Sequence, residues 1–316
     1  MAQPANTFDT YDSVGIREDL SNVIYNVSPE ETPLLSSIAK VSATNTLHEW
    51  QTDANRAAIA TNAHIEGNDT AGDAVTATVR LGNYTQIFKN ACTISGTDES
   101  VKNAARGKEM SYQIVKIAAE QKTDIEMSLF ANNARVAGNA TTARELGGLG
   151  SFVKTNVTNV GNGGSNPTGN GTNARTDGTA TVFSQADFDT CMQEIWAEGG
   201  KPDTVYLSTF QMNKALGFVG NNNQRSTGAS AGKVENLLNV YMTPWGSVTF
   251  TPSRHNRAKD VWIIQKDKLA LASLRAMKNE ALSKTGDNEK RQILCESTLV
   301  VRNEKALGLI ADCTTS

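Results

Sequence analysis

The spacing of hydrophobic positions changes several times along this chain, and the changes divide it into elements. Leu47-His48-Glu49-Trp50-Gln51 and Val75-Thr76-Ala77-Thr78-Val79-Arg80-Leu81 read as two strands. Between them, Thr52 to Ala74 offers only Ile59 and Ile65 as large aliphatics; the remainder is mostly Ala, Asn, Thr, Asp and Gly. So long a connection, with so little to bury, is usually functional or disordered. If the flanking strands pair, they form a long two-stranded arm, which needs a partner because an isolated hairpin is marginal in water. The return side continues through Tyr84-Thr85-Gln86-Ile87-Phe88 to Ile94.

The period then becomes helical. From Gly107 to Ala137 there is no proline and no internal glycine, and Met110, Ile114, Ile117, Ala118, Gln121, Ile125 and Leu129 share one face. The spacing predicts a helix of about 30 residues, roughly 45 Å long, stopped by Gly138. Asn159 to Gly178 is a Gly/Asn/Thr loop that reads as flexible or turn-rich. Ser184 is the expected N-cap of a helix through Glu198 with Phe188, Cys191, Met192 and Ile195 on one face, ended by Gly199-Gly200. A strand at Thr204 to Leu207 and a short helix from Gln211 to Phe218 follow. Further strands are expected at Tyr241–Thr243, Val248–Thr251, Val261–Ile264, Leu269–Leu271 and Ile293–Val301.

Ahead of all this, residues 1–45 are acidic and broken by Pro29 and Pro33, with room for one short helix around Ile16 to Tyr25. The segment reads as an arm. Hydrophobic content of 39% with abundant Asn, Thr, Gly and Ala suits a β-rich chain with long loops and much surface against copies of itself. A net charge of -3 provides no global basic field for dedicated nucleic-acid binding. The N-terminus resembles no signal peptide, and no run approaches the roughly 18 apolar residues of a membrane span, so a soluble cytoplasmic product is expected. Asn-x-Thr sites such as Asn83-Tyr84-Thr85 then mean nothing as glycan acceptors.

Catalytic chemistry is not expected. Ser37-Ile38-Ala39-Lys40 and Lys284-Thr285-Gly286 match two boxes of penicillin-binding enzymes, but no Ser or Tyr is followed at plus two by the Asn of the third box. His48, His64 and His255 share no metal-ligand spacing. The widely spaced Cys92, Cys191, Cys295 and Cys313 read as buried free thiols. The glycines around Asn162-Gly163-Gly164 complete no phosphate-binding fingerprint. The basic run Arg254 to Lys259 is either a solvated loop or a contact to phosphate or to acidic neighbours. No catalytic residue, cofactor or metal site is assigned.

The order of acidic arm, long hairpin, strut helix, globular insertion and returning strand resembles the Hong Kong 97-type major capsid proteins of tailed bacteriophages, an α+β fold. It is closest to their SU-ten-like branch. The strings that carry the resemblance span the chain: Thr10-Tyr11-Asp12, Arg17-Glu18-Asp19-Leu20-Ser21, Thr32-Pro33-Leu34, His48-Glu49-Trp50-Gln51-Thr52-Asp53, Arg80-Leu81-Gly82-Asn83-Tyr84-Thr85-Gln86, Gly199-Gly200-Lys201-Pro202-Asp203, Lys284-Thr285-Gly286-Asp287 and Arg302-Asn303-Glu304-Lys305.

The resemblance implies an N-arm at 1–45, an E-loop with flanking strands at 46–95 and a spine helix of the peripheral domain at 96–139. An axial domain would follow at 140–275, peripheral return strands at 276–305 and a C-terminal segment near the axial domain at 306–316. It further implies rings of six and five that close an icosahedral shell around double-stranded DNA, with Trp50, Arg56, Ile59, His64, Ile65 and Arg17 as inter-subunit contacts. The implied partners are the chain itself, a portal, a separate scaffolding protein, non-specifically held DNA and, as an additional candidate, a decoration protein, with assembly in the host cytoplasm. Some relatives cross-link the E-loop through a lysine, but no lysine lies between Lys40 and Lys89, so a non-covalent shell is expected. An encapsulin-like nanocompartment shell is the alternative on the same fold.

Overall fold

A computed structural model describes residues 31–67, 69, 72, 75–101, 103, 107–159, 163–218 and 240–315. The expected helix around Ile16 to Tyr25, and Arg17 with it, lie outside the described residues. The chain opens with helix α1 (Pro33–Ser37) and strands β1 (Ala39–Ser42) and β2 (Leu47–Thr52). After the polar excursion come β3 (Val79–Tyr84), β4 (Gln86–Ser95), α2 (Gly96–Ser100) and α3 (Glu109–Phe130). Then follow β5 (Val157–Asn159), α4 (Gln185–Ala197), β6 (Thr204–Leu207), α5 (Thr209–Leu216), β7 (Val240–Thr243) and β8 (Gly246–Pro252). The last elements are β9 (Val261–Ile264), β10 (Leu269–Ala281), β11 (Asn288–Val301) and β12 (Gly308–Ala311).

These strands form three sheets. One has the order β1-β10-β11-β4, the second β5-β12-β9-β6-β8-β7, and the third is the β2-β3 pair by itself. In the six-stranded sheet β6 and β8 are parallel, with α5 in the connection between them, as parallel pairing requires a crossover. Its central strands are buried on both faces, and their side chains alternate between two cores. Val205, Leu207, Val261, Ile263 and Ile310 face α4, meeting Phe188, Cys191, Met192 and Ile195. Tyr206, Trp262, Ile264 and Leu309 face the other way, into a core shared with Leu34 and Leu35 of α1, Ile125, Leu129 and Phe130 of α3, and Leu269, Leu299 and Val301 of the four-stranded sheet. This second core fastens the two larger sheets to one helix.

Several expected elements are confirmed and several are corrected. Ser184 caps α4 with a full capping box through Asp187, and the four predicted apolar residues of that helix are buried. The long helix, however, spans 22 residues, about 33 Å, and ends at Phe130, well short of Gly138. Ala131 turns extended, and the next two side chains bind other segments. Asn132 exchanges hydrogen bonds with the Arg175 backbone (2.8 and 2.9 Å), and Asn133 Nδ2 donates to Leu146 O (2.8 Å). Asparagine amides that find backbone partners elsewhere compete with helix continuation. Gly138 instead occupies a turn at φ +71°, between bridged Val136 and Glu145.

Other borders shift by tertiary pairing. The return strand of the arm begins at Val79, and 75–78 are not strand. Helix α5 starts at Thr209 with Ser208 as its cap, and ends at Leu216. The last long strand starts at Asn288, because its polar beginning pairs with Ala91 to Ser95 of β4. The Gly/Asn/Thr loop is turn-rich but anchored, with a Ser165–Thr176 bridge and a buried Arg175.

Candidate functional site

Among the described residues, the β2–β3 pair and the stretch beyond it form a large surface that the chain's own core does not cover. β2 and β3 pair antiparallel from Leu47↔Tyr84 to Thr52↔Val79 and, among the described residues, join no other strand. Beyond the pair, residues 53–67 are exposed throughout. Ile59, Ile65 and Val75 are 56, 82 and 94% exposed, a poor place for aliphatic side chains unless another surface covers them. Polar contacts here are local: Arg56 Nη1 to Ala57 O (3.3 Å), and His64 Nε2 with Asn62 Oδ1 (3.0 Å). Trp50 lies differently from the other candidates. Its ring packs on Phe152 at 5.9 Å and on His48 at 6.2 Å, at the root of the arm against the chain's own core. Burial there lowers the His48 pKa.

The root is held by directional bonds. Asn83 is buried; its Nδ2 donates to Gly147 O and Leu299 O (both 3.0 Å), and its Oδ1 accepts from Gly147 N (2.8 Å) and Tyr84 N (3.0 Å). Arg135 donates to Gly82 O and lies over the Tyr84 ring at 5.8 Å. Thr85, the single residue between β3 and β4, donates its N–H to Thr46 O (2.8 Å) and its hydroxyl to Glu296 Oε1 (2.7 Å). Arg144 and Arg275 also reach the Glu296 carboxylate. None of this was legible as a site in the sequence. Asn83 and Thr85 stood out as a glycan-acceptor match and within a string that carries the family resemblance, neither of which names their partners, which lie up to 216 positions away.

A cleft of about 350 Å³ opens between the far end of the strand pair, at Thr52, Val79 and Leu81, and Lys154, Glu304 and Lys305 of the body, among others. Where the N-terminal segment meets the body, both oxygens of Glu126 accept backbone N–H groups at the start of α1, from Leu34 (2.9 Å) and Leu35 (2.7 Å). Burial raises the Glu126 pKa, and those two donors offset part of the rise.

The other sequence candidates resolve as structural. Ser37 Oγ donates to Leu34 O (2.9 Å) and meets the Tyr206 hydroxyl (2.8 Å), so it is a tied hydroxyl. The cysteines are free, and burial pushes the Cys191 thiol up to about 12 and that of Cys295 to about 11, away from reactive thiolate. Among the described residues no group of three or more His, Cys, Asp or Glu could hold a metal, and no helix is long and apolar enough to cross a membrane. The basic run makes the acidic-neighbour contact: Arg257 and Lys259 both reach Asp177, and Arg257 also holds buried Asp260. Beside them Arg175 joins Asp177 to Asp312 of the C-terminal segment.

Among known proteins, this chain is similar to phage capsid proteins. A family model described as SU10 major capsid protein matches residues 3–314. The chain is 28% identical to the major capsid protein of Escherichia phage Phieco32, over 98% of this chain and 97% of the relative. Among solved structures, the capsid asymmetric unit of cyanophage A-1(L) matches with a TM-score of 0.62 at 14% identity, covering 98% of this chain and 99% of that one. The capsid of a native GTA particle matches with a TM-score of 0.63 at 11% identity, covering 96 and 98%.

Proposed function

The chain belongs to the SU10 major capsid protein family, and on that premise we propose that its arm is the E-loop by which one subunit grips the next. It is a major capsid protein with the Hong Kong 97-type fold, a structural subunit of icosahedral phage shells and not an enzyme. The fold alone would also serve an encapsulin-like compartment, whereas the family and the curated relative are phage head proteins.

The observation that carries the E-loop reading is the contrast between a bolted root and an uncovered tip with Ile59, Ile65 and Val75 exposed. Burying those side chains on a neighbour returns roughly 1.5–3 kcal/mol apiece if complete, and a ring repeats the contact at every interface. Arg56, His64 and Arg17 are the polar contacts we assign to the same interface, with Trp50 positioning the root. In the division into N-arm (1–45), E-loop (46–95), spine helix (96–139), axial domain (140–275), peripheral return (276–305) and C-terminal segment (306–316), the axial domain and C-terminal segment are supported by the six-stranded sheet, whose strands all lie within 140–275 and 306–316, while the border at 275/276 falls inside β10 of the other sheet. Hexamers and pentamers, a portal, a separate scaffolding protein, packaged double-stranded DNA, a decoration protein and assembly in the host cytoplasm complete the proposal. With no lysine between Lys40 and Lys89, the arm grips by contacts alone.

The test is a double substitution, Ile59→Asp with Ile65→Asp, in the full chain. Both sites are exposed in the subunit, so its melting temperature should hold, with changes within about 0.5 kcal/mol. Negative-stain microscopy and size-exclusion chromatography should show shells for the parent and only rings or single subunits for the variant. Shells of normal yield from the double variant would sink the E-loop assignment.

A further inference from the structure

The arm leaves the body through Thr85, and every polar group of that residue is taken by a different segment. Its N–H donates to Thr46 O (2.8 Å), its hydroxyl to Glu296 Oε1 (2.7 Å), and its carbonyl accepts from Arg144 Nε (3.1 Å). Glu296 lies on β11 with a side chain 4% exposed, and three groups converge on its carboxylate: the Thr85 hydroxyl, the Arg144 guanidinium and Arg275 Nε at 2.9 Å. Arg275 faces Glu296 directly across β10–β11, where the register slips between Ser273 and Arg275 and again between Arg275 and Lys278. Bulges of this kind re-aim a side chain at the expense of regular pairing. The sheet is irregular at the place where a cation is needed.

We propose that the Glu296–Arg144–Arg275–Thr85 cluster is a positioning pin that fixes the angle at which the arm leaves the body, and thereby the curvature of the shell. The proposal rests on the E-loop reading of the arm. Apolar burial is non-directional and tolerates sliding, whereas charge-assisted hydrogen bonds fix direction. A pair of strands that meets the body only through the short links 43–46 and Thr85 and the contacts at its root needs the second kind. The cluster is an uneconomical way to add stability, since a buried ion group exchanged for apolar residues of similar volume is often neutral or stabilising. Its role is then specificity of angle. On this reading the root moves with the body.

The experiment compares the full parent chain with the fourfold variant Thr85→Val, Glu296→Met, Arg144→Met and Arg275→Met. Three readouts are taken: melting temperature of the unassembled subunit, amide hydrogen exchange across residues 82–86, and the diameter distribution of assembled particles by electron microscopy. The expected result is a retained melting transition, faster exchange at 82–86, and loss of the single particle size in favour of mixed diameters and open sheets. Particles of the parent's single diameter from the folded variant overturn the proposal. If the fourfold variant does not fold, Thr85→Val alone is measured in the same way, since it removes only the hydroxyl. A single parental diameter there overturns the proposal too. Parent chains that never close into shells would instead count against the assembly reading, so the two failures are distinguishable.

Discussion

Glu126 and Asp260 are both buried carboxylates, yet they do different work. Glu126 satisfies two N–H groups at the first turn of α1, an N-terminus whose Thr32 makes no side-chain cap. Glu126→Ala leaves both donors buried without partners and should cost about 2–4 kcal/mol, read as a lower denaturation midpoint of the unassembled subunit. Asp260 belongs to the ionic group around Arg257, Lys259, Asp177, Arg175 and Asp312, and burial pushes its carboxyl up to about 6 against the pull of Arg257. A folded-state pKa above the unfolded one means the folded chain holds the proton more tightly. The contribution is therefore full below about pH 4 and is lost as pH rises through about 6. Asp260→Asn keeps an acceptor for Arg257 and removes the titration. It should flatten the rise in melting temperature as pH falls from 7 to 4, an effect of at most about 3 kcal/mol. An unchanged slope would show that Asp260 does not titrate in this range.

Among the elements, α4 is the one in which local signals and packing agree most fully. Its capping box, apolar face and glycine stop are all written within 17 consecutive residues, 184–200. The two kinds of signal can be separated by magnitude. Ser184→Ala removes a cap and should cost about 1 kcal/mol. Phe188→Ala opens a hole beside Tyr241 (5.4 Å) and Phe250 (5.6 Å) and should cost about 3–5 kcal/mol. Chemical denaturation of the subunit gives both numbers, and equal costs would mean that the aromatic cluster closes over the gap. Helix α3 is the contrary case. Its helical spacing continues past Phe130, but Asn132 and Asn133 are drawn off by Arg175 and Leu146, and those partners outweigh propensity.

For the whole molecule, the governing asymmetry is between a body with three buried apolar clusters and an arm that, among its described residues, has none of its own. The double substitution at Ile59 and Ile65 belongs to this scale, because its effect should be invisible in the subunit and decisive in the shell. By itself the sequence determined the alternation of strands, the caps, the apolar faces, the arm too poor in aliphatics to bury itself and the lack of a lysine on it. Those are local properties, readable from spacing and composition. Only the tertiary structure decided where the long helix stops, that Trp50 faces inward, that Arg175 closes on Asp312, and that Asn83, Thr85 and Glu296 bolt the arm to the body. Periodicity says which face of a segment is apolar, but a buried polar side chain is defined by its partner. Here the partner of Asn83 is Leu299 and that of Thr85 is Glu296, and no pattern within either segment names the other.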